Sequence, residues 1–173
     1  YNSMMATLNP GDEVVIPAPY WVTYPEIVKL AGATPVAVPA PSAAGFKLTA
    51  PQLEAAITPR TRAMILNSPA NPTGAVYTRA ELEALAEVIL DHDLMVVADE
   101  IYEKLIYDGE AHVSLAGLDP RLEDQTLTCN GFSKAYAATG WRLGYVAGPK
   151  PVIKAATAIQ SHSTSGANTF AQY

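Results

Sequence analysis

The chain has 173 residues, 49% of them hydrophobic and 16% charged, which is enough apolar sequence to build one sizeable core. Its formal net charge of −6 argues against broad contact with nucleic acid or with an anionic membrane. No apolar run approaches the roughly 20 residues that a membrane-spanning helix needs. The single cysteine, Cys129, excludes an internal disulfide and is typical of a reducing compartment. We therefore expect a cytoplasmic protein without nucleic-acid or membrane partners.

The first half of the chain predicts short strands that alternate with helices. The start, residues 1–5, is typical of the end of a helix, and Asn9 to Asp12 have the composition of a turn. Buried strands are predicted at 13–17, 34–38 and 62–66. A helix is predicted at 25–31, and a capping box formed by Thr49 and Gln52 opens another that runs to Ile57.

The same alternation continues in the second half. A second capping box, formed by Thr78 and Glu81, opens a helix with one apolar face for the core, made by Leu82, Leu85, Ala86 and Ile89. Further strands are predicted at 94–98, 126–129 and 143–147, followed by a helix at 150–160. No repeat or linker divides the sequence, so we expect one domain over 1–173.

This order predicts a three-layer α/β/α fold with a mainly parallel mixed sheet. In such sheets ligands bind at the carboxyl ends of the strands, where the polar segments 67–71, 99–102 and 133–134 fall. The sixth strand follows the fifth too closely for a crossover helix, so we expect it to run antiparallel. That reversal would bring Arg142 beside Lys134.

Residues 133–145 are the most informative segment of the chain. Lys134 follows the predicted fifth strand among small side chains, so we expect it to be partly desolvated and to lose its proton readily. A neutral amine there suits Schiff-base chemistry with an aldehyde cofactor. Arg142 keeps its charge and presents a rigid fork that suits a phosphate. Taken alone, such a pair is more typical of a solvated lysine and a surface ion pair, and the other motifs decide between the two.

Five segments of the chain resemble the fold-type I aminotransferases that depend on pyridoxal 5′-phosphate (PLP), class I/II, and the aspartate aminotransferases in particular. They occur in the family's order and spacing and cover nearly the whole chain: residues 9–14, 17–25, 67–74, 98–102 and 133–144. One segment alone would be weak, whereas all of them together are highly specific. The resemblance implies that the chain is part of the PLP-binding large domain.

The resemblance implies a catalytic role for three residues. Lys134 would form the internal aldimine and then shuttle the proton between the substrate Cα and the cofactor. Asp99 would pair with the pyridinium nitrogen and keep it protonated. Alone, an aspartate after a strand is more typical of a helix N-cap, but the presence of Lys134 favours the cofactor role. Tyr102 would donate a hydrogen bond to the phenolate oxygen of the cofactor.

The remaining site residues are also implied by the resemblance. Asn71 would donate to the phenolate oxygen and help to hold the substrate α-carboxylate, in addition to forming a turn with Pro72, whose peptide bond is cis in the family. Ser133 and Arg142 would bind the phosphate. Trp21 would stack on the pyridine ring and border the substrate carboxylate.

The three histidines do not suggest a metal site. His92, His112 and His162 are scattered without the spacing of metal ligands, and solvated or helix-end positions are expected for them. We predict no metal.

By the same resemblance, the fold is expected to be incomplete at both ends. The N-terminal segment with its phosphate-binding turn, and the C-terminal small domain with the arginine for the α-carboxylate, would lie outside residues 1–173. The family works as a homodimer with a shared active site. The isolated chain is therefore expected to be inactive.

The implied reaction is the ping-pong transfer of an amino group from an amino acid to a 2-oxo acid, with aspartate and 2-oxoglutarate as the leading pair. Prephenate, alanine or aromatic substrates remain open. Two other functions remain open. Another fold-type I PLP reaction, such as that of a β-lyase or an aminocyclopropane-carboxylate-type synthase, would share Lys134, Asp99 and Arg142. The other alternative is an aminotransferase-like sensor domain of a transcription regulator, which would bind PLP without turnover.

Overall fold

Six strands form one sheet at the centre of the protein. The structure, a computed structural model, describes all residues from 1 to 173. The strands are β1 (Glu13–Ala18), β2 (Thr34–Pro39), β3 (Thr61–Asn67), β4 (Met95–Asp99), β5 (Thr126–Gly131) and β6 (Gly144–Ala147). The helices are α1 (Asn2–Thr7), α2 (Thr23–Leu30), α3 (Ala50–Ala56), α4 (Arg79–Asp91), α5 (Pro120–Glu123) and α6 (Lys150–Ser163).

The strand order is β2-β1-β3-β4-β5-β6, which confirms the predicted mainly parallel mixed sheet. All neighbouring pairs are parallel except β5 and β6, which run antiparallel as the short connection required. Gly131 pairs with Gly144 where this reversal begins. A Cβ atom on Gly131 would lie only 2.9 Å from the carbonyl oxygen of Leu143, so the close approach of the two strands requires glycine.

Each face of the sheet packs against its own group of helices, as expected for an α/β/α fold. One core joins strand residues such as Met64 and Val96 to α3, α4 and α5. The other joins Val14 and Ile65 to α1 and α2, with α6 packed beside it. Successive side chains of each strand point to opposite faces of the sheet. Because both faces are covered, the central strands are apolar on both sides. No helix of the protein combines the length and the apolar character that crossing a bilayer requires.

The two predicted capping boxes are confirmed and some helix boundaries are corrected. Thr49 and Thr78 both form capping boxes, and the predicted apolar face of α4 is buried. The second helix begins at Thr23, before Pro25, since proline fits the first turn, where its missing N–H group costs nothing. The last helix extends to Ser163, and sequence reasoning missed the short helix α5.

The register of the sheet brings distant segments together at one rim. Asn67 at the end of β3 lies beside Asp99 at the end of β4, and Asp99 lies beside Cys129 in β5. The chain leaves all three strands at this rim, so the loops that follow them face one another.

Candidate active site

A cavity of about 350 Å³ lies at the carboxyl rim of the sheet. Every site residue that was predicted from the sequence lines it: Trp21, Asn71, Asp99, Tyr102, Ser133, Lys134 and Arg142. The wall also includes residues that sequence reasoning did not select, namely Tyr24, Ile101, Cys129, Asn130 and Thr139. The structure therefore brings all of the predicted residues into one space.

Asp99 is the acidic group of the cavity. Its Oδ2 accepts a 2.7 Å hydrogen bond from the Tyr24 hydroxyl, and its Oδ1 accepts one of 3.2 Å from the backbone N–H of Ile101. Burial raises the pKa of the Asp99 carboxyl above its ordinary value, although these two hydrogen bonds act in the opposite direction. The bond to Ile101 resembles a helix cap, but the chain forms turns after Asp99 and no helix that it could cap.

Lys134 lies opposite Tyr102, with its Nζ atom 5.7 Å from the centroid of the Tyr102 ring. The expectation that Lys134 is desolvated is wrong for this chain, since the residue is exposed. The physical reason is that Lys134 lies in the loop after β5, beyond the sheet, where the rest of the chain leaves its side chain exposed. Further protein or a bound molecule would have to exclude water from the amine.

The Asn71 turn is held in place by the end of β3. The backbone N–H of Asn71 donates to Asn67 Oδ1 at 2.7 Å, and Asn67 Nδ2 donates to the carbonyl oxygen of Asp99 at 2.8 Å. The peptide bond between Asn71 and Pro72 is cis. Asn67 therefore ties the turn that carries Asn71 to the strand that carries Asp99.

Trp21 and Tyr24 enter the cavity from the start of α2. Their rings meet edge to face, with centroids 5.6 Å apart and planes at 89°. Trp21 is 44% exposed, whereas Tyr24 is 5% exposed. Sequence reasoning missed Tyr24, although its position three residues after Trp21, in the first turn of a helix that follows β1, could have indicated that it faces the same rim.

Ser133 and Arg142 stand at the two ends of the loop that carries Lys134. The carbonyl oxygen of Ser133 accepts a 3.0 Å hydrogen bond from the Thr139 hydroxyl, and Arg142 Nη1 donates to the carbonyl oxygen of Thr139 at 3.0 Å. The antiparallel direction of β6 brings Arg142 back to the cavity, as the short connection predicted.

Cys129 lies in β5 as predicted and lines the cavity, where it is partly buried. Burial, followed by the nearby Asp99 charge, raises the pKa of the thiol to about 11. A thiol in that state is protonated at neutral pH, which is typical of a packing residue and not of a nucleophile.

The expectation of solvated histidines is wrong for His112. Its side chain is only 15% exposed, and its Nε2 atom lies 3.0 Å from Oε2 of the buried Glu100. Ser114 also donates to Glu100, at 2.8 Å. Glu100, Glu103 and His112 offer ligand-type atoms that all lie within 4.8 Å of one another. The grouping was invisible in the sequence because a loop without regular structure brings His112 back to the end of β4.

The chain matches one family model over its whole length. That model, described as aminotransferase class I and II, covers residues 1–173.

Curated relatives match the chain with similar breadth. The aspartate/prephenate aminotransferase of Cereibacter sphaeroides is 59% identical over 100% of this chain and 44% of its own length. The aspartate aminotransferase of Geobacillus stearothermophilus is 57% identical over 100% of this chain and 44% of its own length. The chain therefore spans less than half the length of these relatives.

Solved structures show the same similarity in three dimensions. The aspartate aminotransferase of Rhizobium meliloti superposes with a TM-score of 0.96 at 50% identity, over 99% of this chain and 43% of that one. An aromatic aminotransferase from Pyrococcus horikoshii gives a TM-score of 0.97 at 45% identity, over 99% of this chain and 46% of that one. By its sequence match, its relatives and its fold, the chain belongs to the class I and II aminotransferase family.

Proposed function

We propose that the cavity binds PLP and that the protein containing this chain is a transaminase. One observation carries the proposal: a lysine amine, a partly buried carboxylate and an arginine, contributed by Lys134, Asp99 and Arg142, line a single cavity. Each of the three matches a chemical need of the cofactor, which has an aldehyde, a basic pyridine nitrogen and a phosphate.

The residues present fit the cofactor. The cavity of about 350 Å³ falls within the range of small-molecule sites. The partial burial of Asp99 disfavours its charge, which a cationic ring nitrogen would compensate. PLP, when bound, supplies an electron sink that stabilises negative charge at the substrate Cα.

The chain's own residues then have separate tasks. Lys134 Nζ would hold the cofactor aldehyde and, once the substrate amine had displaced it, would accept a proton from the substrate Cα and return it later. Asp99 would hold the proton on the pyridine nitrogen, and its bond from Tyr24 keeps the carboxylate oriented. The Tyr102 hydroxyl and the Asn71 amide would donate to the phenolate oxygen.

The other residues bind and orient. Ser133 and Arg142 hold the phosphate, the arginine through charge-assisted hydrogen bonds. Trp21 covers one face of the ring and borders the substrate carboxylate, which Asn71 helps to hold. These positions would fix the substrate Cα–H bond near Lys134 Nζ, which is the orientation that proton transfer requires.

We propose aspartate as the amino donor and 2-oxoglutarate as the acceptor, in a ping-pong cycle. The names of several relatives support aspartate as the donor, since these relatives are aspartate aminotransferases. The names of three relatives also include prephenate, so that acceptor belongs in the same assay.

We further propose that residues 1–173 form part of the large PLP-binding domain of a cytoplasmic homodimer. The supporting fact is that the chain matches about 44% of the relatives' length. The remainder of the protein and the partner subunit would complete the substrate site, so the isolated chain is expected to turn over poorly. Robust turnover by the purified 173-residue chain would contradict this expectation.

The cofactor proposal is tested by reduction of the full-length protein with borohydride in the presence of PLP. We expect a visible absorbance band that disappears on reduction, and a PLP-labelled peptide that contains Lys134. Lys134→Ala should lose the label and about 100- to 10,000-fold of the activity, the contribution of proton transfer by a positioned base. Lys154→Ala, an exposed lysine on α6, is the matched control.

The reaction is tested by product analysis with aspartate and 2-oxoglutarate. Glutamate and oxaloacetate are the expected products. No glutamate from aspartate, together with pyruvate, ammonia and a free thiol from a β-thio amino acid such as cystathionine, would instead assign a β-lyase. Tight PLP binding without any turnover would favour the sensor function.

A further inference from the structure

The loop between β5 and β6, residues 132–143, carries Lys134 and both proposed phosphate ligands. We name it the lysine loop. A hydrogen bond of 3.3 Å from the backbone N–H of Phe132 to the carbonyl oxygen of Leu143 closes its base. Beyond this bond the sheet ladder ends, so the relative position of Ser133, Lys134 and Arg142 depends on contacts inside the loop.

Thr139 makes the contacts that join the two sides of the lysine loop. Its hydroxyl donates to the carbonyl oxygen of Ser133 at 3.0 Å. Its own carbonyl oxygen accepts a bond of 3.0 Å from Arg142 Nη1. Thr139 also lines the cavity. One residue therefore contacts both proposed phosphate ligands and lies next to the space between them.

Arg142 combines this contact with an unusual backbone conformation. Its backbone has φ of 55°, in the left-handed region that side-chain-bearing residues seldom adopt. A guanidinium has five N–H donors in a rigid fork, and the bond to Thr139 uses one of them. The other donors remain free for an anion, while the bond to Thr139 fixes the direction of the fork.

The backbone around Lys134 has a comparable constraint. Ala137 also adopts a positive φ, of 51°, and its N–H donates to the carbonyl oxygen of Lys134 at 3.2 Å. The Thr139 hydroxyl then holds the peptide group directly before Lys134. Removing this hydroxyl would remove the hydrogen bond between Thr139 and the carbonyl oxygen of Ser133.

We propose that Thr139 is a positioning residue, whose hydroxyl sets the distance between the Lys134 side of the loop and Arg142 and so allows both to engage one PLP molecule. This inference rests on the proposed function of the cavity. Thr139 does not contact the reacting atoms in this account; it acts through Ser133 and Arg142.

The test compares Thr139→Val, which keeps the shape and removes the hydroxyl, with Thr139→Ser, which keeps the hydroxyl. Because Thr139 is exposed, neither change removes core packing. In the full-length protein, we expect Thr139→Val to weaken PLP binding about 3- to 10-fold, the effect of losing one hydrogen bond, and Thr139→Ser to restore it within about twofold. The ³¹P signal of bound PLP should shift in Thr139→Val only.

Thr157→Val is the matched control. Thr157 is also exposed, and its hydroxyl also donates to a backbone carbonyl, that of Ile153 at 2.8 Å, but it lies in α6 away from the cavity. This variant should bind PLP as tightly as the unchanged protein.

The possible results distinguish a failure of this inference from a failure of the proposed function. If the unchanged protein binds PLP and Thr139→Val binds it equally well, the inference is overturned and the proposed function stands. An equal loss in Thr139→Val and Thr139→Ser also overturns it, since the hydroxyl is then not responsible. If the unchanged protein binds no PLP, the proposed function fails and the inference fails with it.

Discussion

The hydroxyl of Tyr24 donates a hydrogen bond of 2.7 Å to Oδ2 of Asp99, a residue 75 positions further along the chain. Tyr24 lies in the first turn of the helix after β1, whereas Asp99 ends β4. Their contact gives the partly buried carboxylate a fixed donor in the cavity. Burial, followed by the nearby Asp99 charge, raises the pKa of Tyr24 well above its ordinary value. The phenol therefore stays protonated and donates at any physiological pH.

Tyr24→Phe should therefore weaken cofactor binding while the fold is retained. Phenylalanine keeps the packing of the ring and removes only the donor to a charged oxygen, a bond worth about 1.5–3 kcal/mol. We expect the dissociation constant of PLP to rise about 10-fold or more, measured by absorbance titration of the full-length protein. Tyr20→Phe, at a partly buried neighbour, is the control. Unchanged PLP affinity in Tyr24→Phe would contradict the role given to this bond.

Asp99→Asn should lower activity without lowering thermal stability. Burial raises the pKa of Asp99, so the stability that this group contributes is fully present below its ordinary pKa of 3.8 and is lost as the pH rises through the higher folded value. Removing the charge should leave the melting temperature of the cofactor-free protein at pH 7 equal or higher. Transaminase activity should fall about 100-fold or more, the effect of losing a preorganised charge in an active site.

Asp91→Asn, at the exposed end of α4, is the control for that comparison and should change neither quantity. A clear drop in the melting temperature of cofactor-free Asp99→Asn would show that the carboxylate is a structural requirement, against this prediction.

Tyr77 should make stability sensitive to alkaline pH. Its hydroxyl accepts a 2.7 Å hydrogen bond from the backbone N–H of Leu48, and burial raises its pKa from 10.0 to about 12. Because the folded pKa is the higher one, its stabilising contribution is complete below pH 10 and is lost between about pH 10 and 12.

Tyr77→Phe tests this dependence. At pH 8 it should lower the free energy of unfolding by about 1–3 kcal/mol, since the buried Leu48 N–H loses its acceptor. In urea titrations from pH 8 to 12, the difference from the unchanged protein should shrink above pH 10. A difference that stays constant over that range would mean that Tyr77 titrates normally.

Thr78→Ala should destabilise α4 from its start. Thr78 Oγ1 accepts from the Glu81 N–H at 3.3 Å, and the Glu81 carboxylate accepts from the Thr78 N–H at 2.8 Å. Loss of such a cap costs about 1 kcal/mol, which thermal or urea unfolding can measure. Thr78→Ser keeps the hydroxyl and should unfold as the unchanged protein does. Equal stability of Thr78→Ala would mean that the capping box contributes nothing.

Local sequence determined the elements of the fold. The capping boxes at Thr49 and Thr78 fixed two helix starts, because the side chains that satisfy the first N–H groups lie within three residues of them. The short connection between β5 and β6 fixed the antiparallel turn that returns Arg142 to the rim. Motif order and spacing then indicated the family, which the comparisons confirm.

Contacts between distant segments were decided only by the tertiary structure. The pairing of Tyr24 with Asp99 depends on the register that aligns β1, β3 and β4, and no local pattern encodes it. The burial of His112 against Glu100 depends on the path of an irregular loop. Local sequence and tertiary structure also determine different properties of Lys134. Its sequence context indicated its chemistry, whereas its exposure depends on which segments cover the cavity. Capping and periodicity act over a few residues, whereas burial and electrostatics depend on every group that packs nearby, and only the folded chain specifies those.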